Sequence, residues 1–418
     1  MTLTLAAPAA PPGENPTPAP PSAARLRGID AARGIALIGM MAVHVLPDST
    51  DDGDPTWSFQ LFGGRAAALF AVLAGVSIAL VTGRRRVRVA DWPAAAASLA
   101  ARAAVIGIIG LALGYTDASL AAVILPFYAV MFLASIPLVV LPTWVVAATG
   151  AGIVAGAPVL THLLLDRLPD PLGENPGFHD LITRPGQLFT ELTVTGEFPA
   201  LPWMAYLCAG LVVGRLALDR WRTAVALLGI GLVLAVGAHV VASVLLDSYH
   251  GVDHILAAQP ATDRTLDETR ELLDFGADGT VPGSTWWWLA LDKPHTGTPL
   301  DLLATIGSAY AVIGAMLLLP HARTPGWRRA ATALQLPLAA AGRMTLTLYT
   351  LHVVFINSDY DRYPDTPSYL IQVAAVLFIG LVWTSTAGRG PLESVVAAAA
   401  RRARAAAARH RPRERIAS

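Results

Sequence analysis

Apolar residues gather into long runs, separated by short segments rich in charge, proline or glycine. Ten such runs lie at about 29–47, 61–82, 97–115, 119–141, 144–165, 199–218, 223–246, 300–320, 335–357 and 368–388. Each is close to the roughly 20 residues that a helix needs to cross a bilayer. The predicted fold class is therefore all-α: a polytopic integral membrane protein of about ten transmembrane helices. In the second run Ala67, Ala71, Gly75 and Ala79 recur at four-residue spacing. That spacing lines small side chains along one ridge and predicts a close helix–helix approach.

The connecting segments alternate in charge. Residues 48–60 carry four aspartates and no base, whereas 83–102 carry five arginines against Asp91. Residues 166–198 hold six acids and two arginines, and 215–222 hold three arginines and Asp219. Residues 247–301 hold ten acids and three bases, and 321–343 hold four arginines. Residues 357–367 are net acidic, and the stretch from Arg389 has eight arginines and two glutamates. Arginine-rich segments mark the cytoplasmic side, so both termini are expected there and loops 166–198 and 247–299 outside. The expected layout is an Ala/Pro-rich disordered tail (1–24), a transmembrane domain (25–390) and a basic tail (391–418) that either lies on an anionic leaflet or is simply solvated.

Composition sharpens this picture. The 418 residues are 54% hydrophobic and 14% charged, with equal numbers of bases and acids and a mean hydropathy of +0.53. An ordinary soluble enzyme and a disordered chain are excluded, and the balanced charge gives no hint of a nucleic-acid partner, so none is expected. The single cysteine, Cys208, excludes a disulfide scaffold, and there is no Cys/His zinc pattern or other metal site.

Ionisable residues at membrane depth are functional candidates because they are costly there. On the first predicted helix Asp30 and Arg33 are three apart and can pair near the cytoplasmic end. His44 follows Arg33 by eleven residues, which returns to nearly the same helix face about 16 Å further on. An imidazole there can accept a proton or carry a group, or it can cap the helix end through a loop. Asp30–Arg33 can equally be an orientation signal. In the ninth run Thr345, Tyr349 and His352 share one face, as catalytic or as interhelical hydrogen-bonding groups. Arg65 reads as a carboxylate or phosphate clamp, or as the partner of Asp51, Asp52 or Asp54. Trp203, behind Pro202, suits an interface belt or a shaped entrance, and Trp57 is the aromatic residue of the first external loop. Trp286, Trp287 and Trp288 read as an interface anchor or a sugar-stacking platform. His295 sits just before a predicted helix start, where a polar ligand can approach.

These residues carry a resemblance. The first helix, with Asp30, Arg33-Gly34 and His44, resembles that of the membrane acyltransferase superfamily, and Arg33-x10-His44 is similar to the Arg-x10-His pattern of acyltransferase-3 proteins. Phe198-Pro199-x-x-Pro202-Trp203, Pro294-His295-Thr296-Gly297-Thr298 and Gly342-Arg343-Met344-Thr345 look like phrases of bacterial heparan-alpha-glucosaminide N-acetyltransferase-like proteins. Gly390-Pro391-Leu392-Glu393 resembles the ending of a related bacterial membrane family. The resemblance covers about residues 25–395. It implies acyl transfer from cytoplasmic acyl-CoA, chiefly acetyl-CoA, to a hydroxyl or amine of an extracytoplasmic glycan or glycolipid. In the lysosomal enzyme of that group the active histidine lies in the loop after the first helix; here that loop has none. The role of base passes to His44, with His352 and His295 as alternates.

The acyl-CoA that the resemblance implies would have its phosphates held by Arg33, Arg84, Arg85, Arg88 and Arg102, with Asp30 in the cofactor site as the partner of Arg33, and Arg65, Trp203, Tyr349 and Trp57 would meet the acceptor. The implied partners are the bilayer of a bacterial-type plasma membrane and a glycan or lipid-linked acceptor, with a homodimer allowed. A transporter or permease of a small polar solute, or a non-catalytic scaffold, is the competing reading; an inverted repeat, which a transporter would favour, is not visible.

Overall fold

The computed structural model describes residues 23–262 and 264–409. Residues 1–22 of the expected tail, and Arg411, Arg413 and Arg415 at the other end, lie outside them. Among the described residues every regular element is helical apart from one isolated bridge, Ser49–Pro55. The helices that build the bundle are α1 (Ala23–Val45), α2 (Arg65–Val81), α3 (Trp92–Leu113), α4 (Leu125–Ala134), α5 (Thr143–Leu164) and α6 (Ala200–Arg215). They continue with α7 (Trp221–Ser243), α8 (Pro299–Leu318), α9 (Pro325–Gly342), α10 (Thr345–Ile356), α11 (Asp365–Thr386) and α12 (Pro391–Arg409).

Seven of the described segments are long and apolar enough to cross a bilayer, or nine if two bent helix pairs each count as one crossing. The protein is thus a multi-pass membrane protein, with two departures from the expected spans. The run 119–141 contains only the ten-residue α4, which Pro126 starts and a 3-10 turn at Leu138–Val140 follows. Its flanks nevertheless reach opposite ends of the bundle. Ala121 accepts from Asn175 at 2.9 Å in one loop layer, and Val139 accepts from the Val87 amide at 2.9 Å in the other. The run 335–357 is broken: α9 and α10 meet at a 73° bend. Most of the first half of α9 is exposed, while Thr347, Leu348, Tyr349, His352 and Val353 of α10 are buried.

The two loop layers segregate by charge. At the basic end Arg84 donates to the Leu216 carbonyl at 2.6 Å and Arg86 to the Val140 carbonyl at 2.6 Å. At the acidic end Asn175 joins Thr116, Ala121 and Val123, and Asn357 accepts from the Asp117 amide at 2.8 Å. Segments of like predicted sidedness are the ones that touch.

Small residues let the helices approach. A Cβ on Gly210 of α6 would stand 1.8 Å from the Val72 carbonyl oxygen, and one on Gly75 of α2 would stand 2.3 Å from that of Leu207. Close contact of this kind holds helices together where the hydrophobic effect does not act between them. Helix α12 is the expected basic helix, but Val396 and Ala400 are buried, so it is packed as well as solvated. Glu393 fixes its start: the carboxylate accepts from the Thr347 amide at 3.1 Å and the Thr347 hydroxyl at 2.6 Å. The Gly390–Glu393 phrase therefore pins the first turn of α10.

Candidate active site

α1 carries the two ends of the site. At its basic end Arg33 donates to Asp30 at 2.5 Å and to Ser77 Oγ of α2 at 2.8 Å. Arg343, at the α9–α10 bend, is close enough to act on the Asp30 charge. Arg102 of α3 has a buried Nε with no hydrogen-bond partner among the described residues, and Arg389 and Arg401 stand near it. The other arginines expected to hold phosphate are more dispersed. Arg88 pairs with Asp91 at 2.8 Å, Arg84 is committed to the Leu216 carbonyl, and Arg85 is exposed.

At the other end of α1 His44 is hydrogen-bonded not to a loop but to His352 of α10: Nδ1 and Nε2 are 3.0 Å apart. The rings are parallel within 5° with centroids 5.2 Å apart. That separation suits an edge-to-edge N–H···N bond rather than a face-to-face stack. His352 Nδ1 lies 2.7 Å from Gln372 Oε1 of α11. Gln372 Nε2 donates to Ser368 Oγ at 3.0 Å, and Ser368 donates to Asp361 at 2.7 Å. Tyr349 sits one turn below His352, its ring 6.5 Å from that of His44, and its hydroxyl donates to the Ala122 carbonyl at 3.4 Å. Nearby Tyr128 of α4 has a buried hydroxyl without a hydrogen-bond partner among the described residues.

His295 belongs to a second centre at the acidic end. Its loop is built by the Pro294–Thr298 phrase. Thr298 caps α8 by accepting from the Asp301 amide at 3.0 Å, and Asp301 accepts from the Gly297 amide at 3.0 Å. This reciprocal cap is a local fold signal, so most of that phrase is explained by structure. His295 itself has φ +54°, a costly backbone for a residue with a Cβ. Its ring stacks on Trp203 at 6.2 Å and 13°, and its Nε2 is 3.9 Å from Glu197. Its Nδ1 is buried with no hydrogen-bond partner among the described residues. Burial holds the His295 imidazole down to about 4. Glu197, in the break ahead of α6 and outside the spans, is pushed up to about 8 by burial and then by the Asp278 and Glu191 carboxylates. Both shifts favour the uncharged form of the group.

The remaining candidates separate. Arg65 does not pair with Asp51, Asp52 or Asp54; it donates to the Gln60 carbonyl at 2.5 Å and lies within charge reach of Asp301. It is thus tied to the short Trp57–Phe62 helix that precedes α2 rather than to the aspartates of the loop. Trp57 is 73% exposed, outside the aromatic cluster of Phe198, Trp203, Tyr206 and His295. The tryptophan triplet is not one platform. Trp288 is core beside Ile255, Val281 and Leu291; Trp287 stacks on His254 at 5.1 Å; only Trp286 is exposed. Gln372, Ser368, Asp361 and Glu197 were not singled out from sequence. Gln372 and Ser368 are four apart in the tenth run, a signal of one polar face.

Fold and site together define an all-α multi-pass membrane protein with a histidine pair between its helices and paired charges at the far end of one of them. A family model of the heparan-alpha-glucosaminide N-acetyltransferase catalytic domain matches residues 25–243, just over half of the chain. The chain belongs to that family, and so is a membrane enzyme of the acetyltransferase type. Among curated proteins no match was found. The family match covers His44 and the Asp30–Arg33 pair; His295, His352 and Gln372 lie beyond it.

Proposed function

We propose that the protein moves an acetyl group from acetyl-CoA, docked at the basic, cytoplasmic end, to an amine or hydroxyl of a glycan or glycolipid at the acidic, extracytoplasmic end. The observation that carries this reading is the placement of His44: on one face of α1, hydrogen-bonded to His352, some 16 Å beyond Arg33. His44 is the general base. It takes the acceptor proton as the acceptor nitrogen or oxygen attacks the thioester carbonyl. Collapse of the tetrahedral species breaks the C–S bond, and the imidazolium returns its proton to the departing CoA thiolate. The unpartnered Arg102 Nε, with Arg389 and Arg401 beside it, suits the CoA phosphates better than the committed Arg84 and Arg88 do.

His295, with an open Nδ1 above Trp203, orients the acceptor at the outer mouth. The setting is a bacterial-type plasma membrane with both termini inside, residues 25–390 forming the transferase and 391–418 a basic tail. A homodimer is compatible with this arrangement. The test is proteoliposomes with labelled acetyl-CoA on one side and a glucosaminide on the other. Acetylated glucosaminide with matching release of free CoA is expected. Uptake of the sugar without CoA turnover would assign a carrier instead.

A further inference from the structure

With both imidazoles neutral, the polar chain running outward from His44 has one consistent arrangement of protons. Asp361, as a carboxylate, can only accept, so the Ser368 hydroxyl donates to it at 2.7 Å. The Ser368 oxygen is then the acceptor for Gln372 Nε2 at 3.0 Å. With its NH2 directed there, Gln372 presents Oε1 to His352 Nδ1 at 2.7 Å, and an amide oxygen can only accept. His352 therefore carries its proton on Nδ1 and its lone pair on Nε2. That lone pair faces His44 Nδ1 at 3.0 Å, so His44 too carries its proton on Nδ1. Three of the links are closed to water: His352, Ser368 and Gln372 are buried, at 4%, 2% and 6% exposure. Buried polar groups hold their pairings because the alternative is an unsatisfied donor or acceptor.

We infer that Asp361, Ser368 and Gln372 form a positioning relay that fixes both histidine tautomers and leaves His44 Nε2 as the proton-accepting nitrogen. This rests on the reading of His44 as base. The relay joins four segments: α1, α10, α11 and the loop between the last two. Gln372 does no chemistry; it keeps His352 from turning its N–H toward His44. Were that to happen, His44 would have to place its own proton on Nε2, where no base remains.

The experiment compares Gln372→Leu, Gln372→Glu and Ser368→Ala in the full-length protein, with His44→Ala as control. Gln372→Leu removes the acceptor, and kcat is expected to fall about 10- to 100-fold, less than the roughly 10²- to 10⁴-fold of a lost general base, because His44 itself remains. KM for acetyl-CoA should stay within about two-fold, because ground-state binding is untouched. Gln372→Glu restores an acceptor at the same place and should recover most of the rate; a purely structural role would not be rescued by a buried carboxylate. Ser368→Ala frees the amide to turn over and should cost less than Gln372→Leu. The 15N signals of labelled imidazoles should report the Nδ1–H form for His44 and His352 in the native protein. A folded Gln372→Leu with native kcat, or a native His44 protonated at Nε2, overturns the relay. If His44→Ala is inactive and Gln372→Leu is fully active, the relay alone falls. If His44→Ala is active, the base reading falls, and the 15N tautomers still decide the relay.

Discussion

The two histidine centres are built on opposite principles. His352 is buried and its two ring nitrogens are both occupied, one by His44 and one by Gln372. His295 is also buried, yet one ring nitrogen has no hydrogen-bond partner and its backbone sits at positive φ. The first centre is saturated and directional, which suits moving a proton along a set line. The second is aromatic-walled and incomplete, which suits receiving a ligand group. A buried polar atom left open costs free energy, and a strained loop adds to that cost.

The largest expected effect falls on the saturated centre. His44→Ala should lower acetyl transfer by about 10²- to 10⁴-fold with the thermal midpoint little changed, since a general base contributes in that range. Steady-state rates measured beside a melting curve check this. Equal losses in both measurements would make His44 a structural residue and erase the contrast. At the open centre His295→Ala should raise KM for the acceptor about tenfold and leave KM for acetyl-CoA alone, a pattern of lost binding rather than lost chemistry. A kinetic matrix with both substrates varied decides it.

The third expectation concerns pH. A carboxyl held above its unfolded value binds its proton more tightly in the native state, so its stability contribution is lost as pH rises. Glu197 goes from an ordinary 4.5 to about 8 on folding, and His295 from 6.5 to about 4. Between 4.5 and 6.5 the two slopes have opposite sign and cancel; from 6.5 to 8 only Glu197 remains. The thermal midpoint should therefore fall as pH is raised from 6.5 toward 8, and Glu197→Gln should flatten that fall. The smallest effect is expected at Trp286, 54% exposed. Trp286→Ala should change stability by no more than about 0.5 kcal/mol and leave activity intact. A large loss of activity there would extend the open centre toward the former tryptophan platform.

Much of the bundle was legible in the sequence because bilayer-spanning helices write themselves in composition and loop charge. The small-residue ridge of α2 is an example: Gly75 meets α6 as its spacing requires. His44 and His352 were both visible as intramembrane polar residues, but their pairing was not. They are separated by 308 positions, and periodicity reports a face, not the neighbour of that face. Gln372 was invisible for a related reason: a glutamine in an apolar run carries no charge to draw notice. The break of α9 from α10 at Arg343–Met344 escaped because hydropathy averages over a bend. Trp288 was misread because adjacent tryptophans look alike until packing places one in a core and one in solvent.

That bend has one more consequence. Between Arg343 and Asn357 runs a single twelve-residue helix, α10, about 18 Å long, shorter than a hydrocarbon layer of about 30 Å. The ten-residue α4 lies beside it, with Ala122 just ahead of α4 taking the Tyr349 hydroxyl. Two short helices thus meet beside the histidines, and neither alone is long enough to span the hydrocarbon layer. A helix that ends short of the layer must have its terminal backbone groups satisfied by the protein itself, as the Ala122 carbonyl is by the Tyr349 hydroxyl.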